Sequence, residues 1–126
     1  MLLIEITAWI TAFELIAHLV EVRIMNFDEY QQQTEGTFQA PPSLEARLSY
    51  LTWALGVSAK AGELTWRVTE LINHEDGILD YQSSVQITET MGFLLWNMAR
   101  LASEFGIELN DIAVSNLQRI SNLNNP

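Results

Sequence analysis

Cysteine is absent from the 126 residues. That excludes a disulfide framework, a thiolate nucleophile and a cysteine-ligated zinc or iron–sulfur centre. It fits a reducing cytoplasm, the compartment expected for the chain. Basic residues are scarce: six Lys and Arg face sixteen Asp and Glu, for a formal charge of −10. A surface of that sign repels phosphate backbones, so nucleic acid is disfavoured as a partner. Strand-like alternation and internal repeats are missing. So is a membrane span: Glu5, Glu14, Glu21 and Arg23 interrupt the apolar N-terminal stretch, and a spanning helix needs about 20 predominantly apolar residues. A signal peptide would show a basic start and a small-residue cleavage site, and neither is present.

What remains is apolar enough to fold. Hydrophobic residues make up 48% of the chain and the mass is 14.3 kDa, one domain's worth with a core to bury. Residues 1–24, MLLIEITAWITAFELIAHLVEVRI, place Thr7, Thr11, Glu14, His18 and Glu21 at steps of four and three. This is one narrow polar stripe on a helix otherwise apolar. Such a helix is expected to be buried on most sides, as a packing or dimerisation extension. A membrane-surface helix would prefer Lys and Arg on its polar face. The third possibility is a stretch lying upstream of a true start at Met25.

Residues 25–126 read as a separate all-α domain. Asn26 and Glu29 form a capping box ahead of a short polar helix over about 27–35. Gly36 to Pro42 is a linker, closed by the Pro41-Pro42 pair. Ser43 is the expected cap of a long helix to about Asn73, with Leu44, Leu48, Leu51 and Leu55 as its apolar face. Gly56 and Gly62 inside it predict a bend or a close approach by another backbone. Residues 74–83 are a polar loop. Ser84 is expected to cap a second long helix to about Phe105, apolar at Ile87, Met91, Leu94, Leu95, Met98, Leu101 and Ala102. Gly106 closes it, with Ile107 as the hydrophobic residue after the stop. A last helix covers about 109–121. The expectation is a helical bundle built on two long antiparallel helices.

Four segments in order resemble one family. MNFDEYQQQT (25–34), LSYLTWALGVSAKAGEL (48–64), MGFLLWNMARLASEFGIEL (91–109) and AVSNLQRI (113–120) are similar to the opening, the two metal helices and the closing helix of MazG-like nucleotide pyrophosphohydrolases. The resemblance covers about residues 25–121. It implies a MazG-like bundle that cleaves a nucleoside triphosphate to a monophosphate and pyrophosphate. It also implies Mg²⁺ as cofactor and a homo-oligomer, dimer or tetramer. In the family, a Glu-x-x-Glu and a Glu-x-x-Asp on facing helices hold the metal. Mg²⁺ is a hard cation suited to carboxylate and phosphate oxygens.

Position by position, the implied ligand set is mostly replaced. The first Glu of the first pair falls on Lys60 and the second on Glu63. The Glu of the second pair falls on Thr90 and its Asp on Phe93. Only Glu63 remains as the candidate catalytic and metal-binding carboxylate. Lys60 and Glu63 stand three apart and can pair with each other, and Arg67 is one turn on. Glu89 is the candidate second ligand of a shifted site, with Glu70 beyond it; the alternative is that both are solvated or salt-bridged. Asn116 and Arg119 match the family's phosphate-contacting pair, against the plainer role of an exposed Asn and an Arg aiding a helix end. Trp53, Trp66 and Trp96 lie at or beside the cleft helices, suited either to base stacking or to packing. Three readings stay open: a family member with impaired or lost catalysis that binds a nucleotide or partner, an active enzyme with a shifted or partner-completed site, and a helical interaction module whose function rests on the apolar N-terminal helix.

Overall fold

The computed structural model describes residues 25–37 and 45–124, and these form four helices: α1 (Phe27–Glu35), α2 (Ala46–His74), α3 (Tyr81–Glu104) and α4 (Leu109–Asn124). The architecture is an all-α bundle, as the periodicity predicts. The expected N-terminal helix, the Pro41-Pro42 break and the Ser43 cap lie outside the described residues.

Local chemistry sets the helix ends. Asn26 Oδ1 accepts from Glu29 N at 2.9 Å, and Asn26 N donates to the Glu29 carboxylate at 3.2 Å. The reciprocal pair satisfies two donors that the first turn leaves free. α3 begins three residues before the expected Ser84 cap. Asp80 is the cap, its carboxylate accepting from Ser83 N at 2.7 Å, and this contact holds the Asp80 carboxyl below its usual range. A carboxylate at the positive end of a helix gains from the dipole as well as from the hydrogen bond. At the other end of α3, Gly106 takes the left-handed conformation (φ 66°). Ile107 N donates to Ala102 O at 2.9 Å and Gly106 N to Ser103 O at 3.0 Å, the paired bonds of a Schellman stop.

α2 and α3 form an antiparallel hairpin, with contacts running from Tyr50 and Phe105 at one end to Arg67 and Gln86 at the other. Tyr50 stacks on Phe105, with ring centroids 4.8 Å apart. Trp53 Nε1 donates to Glu104 at 3.3 Å and meets Trp96 edge-on at 5.3 Å. Gly56 faces Asn97, Lys60 lies over Phe93, Thr90 reaches Glu63, and Arg67 reaches Gln86.

This ladder corrects the expected packing face. Leu48, Leu51 and Leu55 are all exposed, Leu55 at 59%. On α3 the expected face holds in part: Met91 and Met98 are exposed, whereas Ile87, Leu94, Leu95 and Leu101 are half-buried and Ala102 is buried. The residues seen to meet across the two helices are instead Trp53, Gly56, Lys60, Glu63 and Arg67 against Gln86, Thr90, Phe93, Trp96 and Asn97. Polar groups make up much of this seam, and the Leu48, Leu51 and Leu55 side of α2 is exposed. The approach at Gly56 comes from the buried Asn97 side chain rather than from another backbone: a Cβ at Gly56 would collide with the Asn97 carboxamide. Gly62 faces open space.

The hydrophobic interior is correspondingly thin. Among the described residues, Trp53, Ala99, Ala102 and Leu109 are the buried apolar side chains. Gln31 of α1 ties this centre together. Its Nε2 donates to Ile107 O at 2.8 Å and Ser103 Oγ at 3.1 Å, and its Oε1 accepts from Leu109 N at 2.6 Å. One amide thus fixes the α3–α4 turn and caps the first turn of α4. No helix among the described residues is long and apolar enough to cross a membrane.

Candidate functional site

The four positions matching the family's metal ligands converge at the middle of the hairpin seam. Lys60 and Glu63 share one face of α2, three residues apart. Thr90 and Phe93 share the facing side of α3. Lys60 Nζ donates to Glu63 Oε2 at 2.7 Å. Arg67 grips the other oxygen, with Nη2 at 2.8 Å and Nε at 3.1 Å from Glu63 Oε1. Thr90 Oγ1 donates to the same oxygen at 3.3 Å and sits 2.9 Å from Gln86 O. The Lys60 ammonium lies 5.2 Å from the centre of the Phe93 ring, within reach of its electron-rich face.

Both oxygens of Glu63 are therefore engaged by protein donors, and Oε1 alone takes three. A carboxylate so held is kept ionised. The Lys60 hydrogen bond is the largest cause, followed by Arg67, and together they bring the Glu63 pKa to about 2. The consequence for metal chemistry is direct. A divalent ion entering beside Glu63 would have to displace Lys60 or Arg67, and would face their positive charge while it shed its own waters. Phe93, 57% exposed, brings an apolar ring to the fourth position and no oxygen ligand.

The remaining candidates are placed apart from this cluster. Glu89 is exposed and lines an apolar pocket with Tyr30, Thr37, Gly92, Phe93 and Trp96. Glu63 does not line that pocket. Glu70 pairs with His74 one turn on, at 3.4 Å, and lines a cleft with Trp66, Arg67, Ser83 and Gln86. Among the described residues no group of three or more His, Asp or Glu stands close enough to hold a metal ion. Asn116 and Arg119 are exposed on α4, which packs on α1 through its first turn. In the single chain they stand outside the α2–α3 seam.

Trp53 and Trp96 take packing positions: Trp53 is buried, and Trp96 Nε1 donates to Thr37 Oγ1 at 2.8 Å. Trp66 is exposed beside Arg67. Sequence reasoning missed Gln86, whose Oε1 accepts from Arg67 Nη1 at 3.1 Å and carries the ion cluster across to α3. The signal was there, since Gln86 stands one turn before Thr90 on the same face. It also missed Arg100, which lies over Trp53 at 5.5 Å with Nε and Nη1 buried and without a hydrogen-bond partner.

No protein-family model matches the chain, and no solved structure matches it. The chain is similar to the gene 37 protein of Mycobacterium phage L5, at 27% identity over 101 residues, covering 76% of this chain and 86% of that protein.

Proposed function

We propose that the chain is a MazG-like pyrophosphohydrolase relative in which an internal ion cluster has taken the place of the metal centre, and that it acts by binding a nucleotide or a partner chain. One observation carries the reading. The side chains at the four ligand-matching positions meet on facing helices, and a lysine satisfies the carboxylate that a metal ion would otherwise share. The ammonium supplies in fixed form part of the positive charge that a divalent ion would bring to a triphosphate. It offers no open coordination position and no site to activate water.

A second copy of the chain belongs to this reading. Beyond its first turn α4 presents Leu117, Ile120 and Leu123 to solvent, with Leu117 at 67% and Leu123 at 75% exposure. A stripe of that kind suits a homodimer or tetramer. In such an assembly Asn116 and Arg119 would approach the crevice of a neighbouring copy and contact phosphate there. The cysteine-free composition suits a cytoplasmic protein.

The test is pyrophosphate release from canonical and modified nucleoside triphosphates with Mg²⁺ or Mn²⁺, run beside calorimetric titration of the same nucleotides. The expected result is no metal-dependent release, with saturable heat from at least one nucleotide that is lost in Arg119→Ala. Turnover near about 1 s⁻¹ would overturn the reading in favour of an active enzyme with a shifted or partner-completed site. Substituting Lys60→Glu, Thr90→Glu and Phe93→Asp together is expected to restore Mg²⁺-dependent cleavage.

A further inference from the structure

We infer that residues 1–24 dock in cis along the apolar groove formed by Phe27 of α1, Leu64 of α2 and Met91, Leu94, Leu95 and Met98 of α3. The groove encloses about 390 Å³ and its walls are almost wholly apolar. Met91 and Met98 are exposed on it, and Phe27 stands 43% exposed at its end.

The place where the chain leaves the described residues selects the occupant. The N-terminal segment ends at Ile24, and three residues later the Phe27 ring is already a wall of the groove. No linker has to be crossed, so the segment meets this surface at an effective concentration that a separate chain does not match. Its length is sufficient. A helix of 24 residues would run about 36 Å at 1.5 Å per residue, more than the stretch of α3 from Met91 to Met98 that lines the groove.

The chemistry is complementary. On a helix, Trp9, Phe13, Ile16 and Val20 would lie opposite the stripe of Thr7, Thr11, Glu14, His18 and Glu21. An aromatic and branched face would enter the groove, and the carboxylates would remain in water. Methionines at Met91 and Met98 adapt their shape to such side chains. The inference stands independently of any nucleotide chemistry in the seam.

The absence of cysteine makes the test clean. In the full chain, Ile16→Cys is combined with Met91→Cys, with Met98→Cys, or with Tyr81→Cys as a control at a position 86% exposed and outside the groove. A short bismaleimide is expected to join Ile16→Cys to Met91→Cys or Met98→Cys within one chain, and to leave the Tyr81→Cys pair unjoined. Equal joining to Tyr81→Cys, or joining only between chains, would overturn the proposal; the second result would assign the groove to another copy. Hydrogen exchange on the unmodified chain gives an independent readout. Amides of residues 1–24 are expected to be protected and to lose that protection in Met91→Glu, a substitution at an exposed site. Equal exchange in both proteins would also overturn it.

Discussion

Gly56 and Gly62 are the same residue type six positions apart in one helix, yet they answer to different forces. At Gly56 the Asn97 carboxamide occupies the space a Cβ would take, and Asn97 is itself held by a 2.8 Å bond from Nδ2 to Phe93 O. Gly56→Ala should therefore destabilise the protein by about 1–3 kcal/mol, because overpacking outweighs the gain in helix propensity. Gly62→Ala meets nothing and should stabilise by up to about 1 kcal/mol. Urea denaturation of the two variants checks the opposite signs. Glu63 gives a second residue-scale prediction. Its pKa is lowered from 4.5 to about 2, so its contribution to stability is present above pH 4.5 and lost as the pH falls toward 2. The thermal midpoint should fall through that window, and in Glu63→Gln this part of the fall should be absent. The Lys60–Glu63 pair was legible from spacing alone, since three residues is a helical neighbour distance. The Gly56–Asn97 approach was not, because it depends on the register between two helices, which no local pattern encodes.

Among the elements, the four described helices and the antiparallel pairing of the two long ones were legible, and the face that α2 buries was not. The capping box at Asn26 and Glu29 and the stop at Gly106 are written in a few adjacent residues, and both form as read. The start of α3 was misplaced because Ser84 and Asp80 are both competent caps, and the carboxylate gains more from the helix dipole. The burial face of α2 was misread for a deeper reason. Periodicity finds the most apolar stripe, but on α2 the structure turns toward α3 the stripe that carries Trp53, Gly56 and the Lys60–Glu63–Arg67 ion cluster. Gln31 shows how much a polar residue carries here. Gln31→Ala would leave the buried Leu109 amide and the Ile107 carbonyl without partners. The expected cost is about 2–4 kcal/mol. Amides in the first turn of α4 should exchange faster while those at the middle of α3 keep their protection, which hydrogen exchange would resolve.

At the scale of the molecule, four of the five basic side chains in the described helices are engaged with carboxylates nearby in sequence: Arg47 with Glu45, Lys60 and Arg67 with Glu63, and Arg100 with Glu104. Arg119 stands on α4, beside the leucine stripe. Lys60 and Arg67 share one carboxylate, so their cluster keeps a net positive charge; Arg119 stands outside it, which makes it the informative substitution for a phosphate contact separate from the seam. The outward apolar stripes make the second whole-molecule prediction. Leu117→Glu with Leu123→Glu should shift sedimentation toward the single chain while leaving the far-ultraviolet helix signal in place.

The thin interior has a further consequence. Among the described residues the buried apolar side chains are two alanines, a leucine and a tryptophan, so in the proposed oligomer association would become a term in the chain's folding equilibrium. Its melting temperature should fall on dilution, so that how much of the protein a cell holds would help decide how much of it is folded.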